Sequence, residues 1–242
     1  MSDAGLAIVL GAVLAGLGGL LVPLLVGRLP EPDPVAEDKR VEGEPEKVPY
    51  VELAARPGLR WRSAAVAAAA GGLLGWSIGL DWPLLWLVPL TPVAVALAVV
   101  DWHTRLLPKV VVVPATLAAI VLVVVVGLAT GERDAVIRAL VTMLLARSFF
   151  WVLWFLRSAG MGFGDVRLAA PVGLVLGWFG WEAVVLGLWV GFVAFSVVMV
   201  GLAVARRDRT VLKKAYPFGP FMLVGALAGL VWGTALTGSL GG

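Results

Sequence analysis

The chain has 242 residues, 60% of them hydrophobic and 14% charged, with a mean hydropathy of +0.98. That composition excludes a water-soluble domain of this size, and repeated apolar stretches of about 18 or more residues read as membrane spans. The net charge of +3 does not require nucleic acid, because basic loops that orient a membrane protein account for it, and zero cysteines exclude disulfides, thiolate metal sites and a cysteine nucleophile.

In chain order the apolar runs are 5–27, 63–80, 83–100, 110–128, 135–156, 166–181, 183–205 and 218–238. Each is near the ~20-residue spanning length. They predict an all-α polytopic membrane protein of about eight transmembrane helices, one domain over residues 1–242. The first run is preceded only by Asp3 and ends in Gly27-Arg28-Leu29-Pro30, so it reads as a retained span entering from outside, not a signal peptide. The long loop 28–62 carries six prolines, and residues 31–46 hold seven acids against Lys39 and Arg40. Such a segment cannot bury a core and reads as a mobile, solvated linker. The sixth run is short; it reaches spanning length only if it starts back toward Asp165.

Loop charges set the orientation. Segments 28–62, 101–109, 157–167 and 206–217 together hold 16 of the 19 Lys and Arg residues, against Arg133 and Arg138 on the other side and Arg147 inside the fifth run. By the positive-inside rule the first side is cytoplasmic. Asp101 and Asp165 then both fall at cytoplasmic ends of spans.

Glycines spaced for close helix approach recur: Gly71, Gly72 and Gly75; Gly173 and Gly177; Gly225 and Gly229. Trp76, Trp82, Trp86, Trp178, Trp181 and Trp232 lie toward the predicted outer face, where interfacial anchoring is expected. Arg147 implies an inward-facing partner, an ion pair or carbonyl, or a snorkelling side chain. His103 reads as a solvated or pairing group.

The chemistry centres on Asp101 and Asp165. Carboxylates at the edge of hydrocarbon are costly, which makes them functional candidates. Taken singly, Asp101 reads as a helix-end acid paired with His103 or Arg105, and Asp165 as the N-cap of the sixth helix. Taken together, at one depth on one side, they suit an aspartic protease, in which an ionised carboxylate takes a proton from water and a protonated one activates the scissile carbonyl. Gly162 and Gly164 flank Phe163 just before Asp165; such glycines let a substrate backbone come close and pair as an added strand. Pro108 and the Pro217-Phe218-Gly219-Pro220 turn are expected to shape the site, with Pro217 and Gly219 opening the last helix.

At these residues the chain resembles the prepilin peptidases, polytopic aspartic proteases of the Gly-x-Gly-Asp type. Three segments carry the likeness: Asp101-Trp-His-Thr-Arg-Leu-Leu-Pro108, Gly160-Met-Gly-Phe-Gly-Asp165-Val-Arg-Leu168, and Tyr216-Pro-Phe-Gly-Pro-Phe221. The resemblance spans about residues 83–240. Arg28-Leu29-Pro30 fits the family as well, whereas Pro23 stands where the family usually has an Asn. Many members carry a four-cysteine metal-binding segment in the first cytoplasmic loop, and some methylate the new N-terminus; this chain has no cysteine. The resemblance therefore implies peptidase activity without cofactor or metal, and it does not carry methyltransferase activity with it. The implied partners are a lipid bilayer and a prepilin or pilin-like precursor, whose short basic leader, standing ahead of an apolar helix, is cut at the cytoplasmic face of the inner membrane. The competing reading is a proton-coupled transporter or a non-catalytic assembly component of a pilus or secretion machine. A proton relay favours carboxylates at different depths, and their equal predicted depth weighs against it.

The acidic stretch 31–46 could attract a basic leader by long-range steering. Neutralising its seven acids is then expected to raise KM at low salt; an unchanged KM assigns it to the linker alone.

Overall fold

The computed structural model describes residues 2–31, 48–156, 161–208 and 216–240, the last seven by backbone alone. Gly160 and the acidic stretch beyond Glu31 lie outside these residues. Among the described residues every regular element is an α-helix: α1 (Asp3–Gly19), α2 (Val22–Gly27), α3 (Tyr50–Ala54), α4 (Leu59–Ile78), α5 (Leu84–Thr104), α6 (Lys109–Thr130), α7 (Arg133–Leu156), α8 (Phe163–Phe179), α9 (Trp181–Ala205) and α10 (Gly219–Leu240).

Each predicted apolar run corresponds to a helix or, for the first, to a helix pair. Pro23 has no N–H to donate, so the chain turns at Leu20–Leu21 and restarts as α2 with proline in its first turn. Among the described residues five helical segments are long and apolar enough to cross a membrane: Asp3–Gly27, α5, α6, α7 and α9. Two of the others fall short for different reasons. α4 is rich in Ala and Gly and opens with Arg60 and Arg62. α8 has only 17 residues. α10 has 22 residues and is apolar over Gly219–Gly233.

α10 packs against both α5 and α8, and these three form the inner layer. Eleven residues of α8 and eleven of α5 are buried. The outer helices present leucine and valine outward, such as Leu14 and Leu17 on α1, Leu144 and Leu145 on α7, and Val197 on α9. Short α8 need not be as apolar as a lipid-facing span, because protein covers it.

Three tight pairs hold the layers together: α1 with α4, α7 with α8, and α9 with α10. Small residues make each one possible, since association inside a membrane relies on close packing. A Cβ on Gly71 would strike the Gly11 carbonyl, and one on Gly75 would strike the Ala7 carbonyl. Gly173 and Gly177 leave room for Thr142, whose fully buried hydroxyl donates to the Gly173 carbonyl at 2.8 Å. Gly225 and Gly229 meet Gly187 and Ala183 backbone. Gly72 is the exception among the predicted contacts, with only ordinary spacing to Ala12.

Several expectations are corrected here. Residues 48–62 do not behave as free linker: they form α3 and the start of α4, with Tyr50 and Leu53 buried and Val51 N–H bonded to Glu31 Oε1 at 3.1 Å. The segment is amphipathic enough to dock on α2 and α5. Trp86 and Trp178 are core residues in edge-to-face contact, centroids 6.2 Å apart, and not interfacial anchors. Trp76, Trp82, Trp181 and Trp232 are exposed as expected. Arg147 lies on the exposed face of α7. The inward carbonyl contact is made by Arg138, whose Nε and Nη2 donate to the Gly177 and Trp178 carbonyls at 2.7 Å each.

Adjacent glycines give a direct check of the packing. Gly71→Ala should destabilise the protein by about 1–3 kcal/mol through overpacking, read as a lower melting midpoint in detergent. Gly72→Ala should leave it unchanged or slightly raised. Equal effects of the two would contradict the close α1–α4 approach.

Candidate active site

The two aspartates arrive from different helices at one end of the bundle. Asp101 sits in the last turn of α5 and is 3% exposed; Asp165 is the third residue of α8 and is 6% exposed. Both carboxylates belong to the buried core, and the charge of Asp101 acts on Asp165. Among the described residues neither is paired with a cation. Each is met by a backbone amide instead. The Gly219 N–H donates to Asp101 Oδ2 at 2.9 Å, and the Gly162 N–H bonds the Asp165 carboxylate. Both amides belong to helix N-termini, α10 for Asp101 and α8 for Asp165, where the backbone presents unpaired donors and the positive end of its dipole.

Gly219 is required by that contact. A Cβ there would lie 2.7 Å from Asp101 Oδ2 and 3.4 Å from Leu107 Cδ1. Gly164 serves the same neighbour, since its Cβ would lie 2.9 Å from Leu107 Cβ. Buried Leu107 therefore touches the first turns of both α8 and α10 and brings the two acidic sites onto one side chain. Pro108 follows as the extended N-cap of α6, and fixes the exit of that turn.

The expected roles divide as follows. Asp165 is not the N-cap; Gly162 holds that position, and Asp165 reaches back from the first turn like the acid of a capping box. Phe163 and Gly164 are helical, not an extended edge for an added strand, because the helix starts at Phe163. Gly162 has φ −72° and only a distant contact, so its geometry does not demand glycine. Phe163 packs on Trp154 at 5.0 Å between centroids and carries the Arg167 guanidinium over its ring at 4.9 Å. Asp101 is paired with neither of its expected partners. His103 Nδ1 lies 2.8 Å from the Val99 carbonyl, and the Arg105 guanidinium lies 5.9 Å from the Tyr216 ring centre. Pro217 is buried beside Phe218 at the start of α10. Among the described residues no cluster of three His, Asp or Glu side chains is placed to hold a metal ion.

Three supporting roles were not anticipated from sequence. Phe218 sits in an aromatic cluster, 5.8 Å from Phe150, 5.0 Å from Phe192 and 5.4 Å from Phe195, which anchors the N-terminus of α10 against α7 and α9. The Phe192/Phe195 helical spacing was the available signal. Arg105 ends α5 in the left-handed region at φ 55°, its N–H bonded to the Asp101 carbonyl at 2.8 Å. Tyr50 bonds the Thr104 side chain; burial pushes its phenol up, with that hydrogen bond opposing, so it stays protonated.

A profile of the type IV leader peptidase family matches residues 88–234, a stretch that includes both aspartates. A prepilin leader peptidase/N-methyltransferase of Aeromonas hydrophila is 31% identical over 157 residues, 64% of this chain and 52% of that protein. The protein of that name from Pseudomonas putida is 30% identical over 168 residues, 69% of this chain and 56% of its own. The one from Burkholderia pseudomallei (strain K96243) is 32% identical over 197 residues, 81% of this chain and 58% of its own. The chain thus spans little more than half the length of these relatives. No solved structure matches it significantly. With more than half of its residues inside the family profile, the chain belongs to the type IV leader peptidase family.

Proposed function

We propose that this protein is an intramembrane aspartic endopeptidase that removes the short basic leader of type IV prepilins or pilin-like precursors at the cytoplasmic face of the inner membrane, with Asp101 and Asp165 as its catalytic pair. The observation that carries the reading is the buried carboxylate pair, held by two helix N-termini and joined across Leu107, in a chain of this family. The eight-span topology with a cytoplasmic site rests on the loop charges and on the match of each apolar run to a helix or, for the first, a helix pair.

Two like charges side by side in a dehydrated site favour one proton between them. The ionised member takes a proton from a water, which attacks the scissile carbonyl carbon. The protonated member hydrogen-bonds to the carbonyl oxygen and stabilises the tetrahedral intermediate. The proton taken from water then passes to the leaving amine, and the C–N bond breaks. Gly219 and Gly162 aim the carboxylates through their N–H groups, and Leu107, Pro108, Phe163, Gly164 and Pro217 fix the turns that bring them together. A shared site at one bundle end is a poor path for a transported proton, which needs groups at successive depths. The methyl transfer in the relatives' names is not part of the proposal.

The direct test is cleavage of a prepilin-like substrate by purified protein in detergent. Asp101→Asn and Asp165→Asn should each lower kcat by at least about a thousandfold, with the double variant no worse, because the pair acts as a unit. Melting midpoints should hold, since a carboxamide keeps the shape and removes like-charge repulsion. Activity within tenfold of wild type for Asp165→Asn would reduce that residue to a helix cap. Gly219→Ala gives a second check. Its Cβ displaces the Asp101 carboxylate, and a misplacement near 1 Å should cost about a hundredfold in kcat, while Gly201→Ala, which meets nothing, should be silent.

A further inference from the structure

Beside the aspartates a long apolar slot opens between α4 and the inner layer, with a volume of about 510 Å³. Its near end is lined by Trp102, Leu168 and Pro220, which follow Asp101, Asp165 and Gly219 closely in the chain. Its far end is lined by Leu87, Val175 and Leu230. From Leu87 to His103 along α5 it runs roughly 24 Å.

The slot's polar groups are few. Thr91 Oγ1 donates to the Leu87 carbonyl and His103 Nδ1 contacts the Val99 carbonyl. Ser63, 2% exposed on the α4 wall, has a buried hydroxyl with no partner among the described residues. Its level can be placed. The short 79–83 turn makes α4 antiparallel to α5, and the Asp101–Gly219 contact makes α5 antiparallel to α10, so α4 and α10 run in one direction. The Ser77 hydroxyl donates to the Leu230 carbonyl at 3.1 Å. Stepping back by equal rise along both helices puts Val66 roughly level with Gly219, and Ser63 within about one turn of it.

We infer that this slot seats the apolar segment of the substrate that follows the scissile bond, with the Ser63 hydroxyl bonding the unwound backbone next to the cut; the inference rests on the peptidase reading. A peptide bond must leave its helix to be attacked, and in hydrocarbon its freed N–H and C=O then need partners. A buried orphan hydroxyl at that level supplies one. An acyl chain has no polar group to offer it and would leave it unpartnered. The slot's near end is lined by chain neighbours of both aspartates, Trp102 and Leu168, so a lipid bound there would occupy the side from which an apolar segment must arrive.

The absence of cysteine makes the test clean. Ala94→Cys puts one thiol on the slot wall, roughly 10 Å along α5 from Asp101, and Leu145→Cys puts one on the exposed face of α7. Each is combined with Asp165→Asn and oxidised with a prepilin-like substrate carrying one cysteine at successive positions after the cut. The expected result is cross-linking from Ala94→Cys at helically spaced positions and none from Leu145→Cys. No cross-link from Ala94→Cys, equal cross-linking from both, or a lipid recovered from the slot in place of substrate overturns the inference. In parallel, Ser63→Ala should lower kcat/KM about three- to tenfold with a melting midpoint unchanged or higher. Wild-type kcat/KM in that variant removes the hydroxyl's role. Failure of the wild type to cut any such substrate sinks the peptidase reading itself, a separate result from either of these.

Discussion

The structure depends on one constraint: two carboxylates must sit together inside an apolar bundle with no cation beside them among the described residues. Desolvation of an unpaired charge is costly, and the usual remedy of a buried lysine or arginine would hold both groups in the ionised form. This chain uses backbone instead. A helix N-terminus offers free N–H donors and a partial positive charge, strong enough to hold a carboxylate yet unable to transfer a proton to it. Two such termini meet here, and the identities of the nearby residues follow. Gly219 must lack a Cβ for its N–H to reach Asp101, and Gly164 must lack one for Leu107 to close the gap between the helices.

The rest of the bundle keeps those two N-termini in place. α8 is tied at both ends by complementary charge, with Asp165 in its first turn and Arg138 from α7 donating to its last carbonyls. Thr142 fixes its rotation between them. α10 is seated differently, by the aromatic cluster around Phe218 and by its glycine contacts with α9. α5 is stopped just after Asp101 by the left-handed Arg105, a conformation that costs a non-glycine residue energy. The turn spends that energy to send Leu107 back toward the site instead of letting the helix run on.

Much of this was legible in the chain. The eight apolar runs anticipated where helices lie because hydrocarbon tolerates little else, and the glycine spacings marked the helix contacts because nothing larger fits. The aspartates stood out because burying charge has few bland explanations. Features that depend on direction were not legible. Hydropathy cannot say that Arg138 faces inward and Arg147 outward when both occupy one apolar helix. Tryptophan enrichment near an interface did not separate the core pair Trp86 and Trp178 from the exposed ones. The Gly-x-Gly-Asp run suggested an extended strand, whereas its second glycine is helical and exists to admit a leucine 57 residues earlier in the chain. The proline-rich composition of 28–62 hid a short helix whose two apolar residues dock on α2.

The shortness of α8 is itself informative. Seventeen residues rise roughly 25 Å, less than the ~30 Å of a bilayer's apolar core. Neighbouring α9, with 25 residues, rises roughly 37 Å. In the proposed topology the N-terminus of α8 therefore lies below the level at which α9 leaves the membrane, and Asp165 lies with it. The carboxylate pair is drawn into the edge of the hydrocarbon while the loops around it remain in water. That position reconciles two demands that otherwise conflict. The proposed peptidase would need water at its carboxylates, and a proposed substrate whose cut adjoins an apolar helix would need its scissile bond met at the membrane boundary. A longer α8 would lift Asp165 into bulk water, where two carboxylates no longer hold a proton between them; a deeper one would strand the pair from the water it must activate.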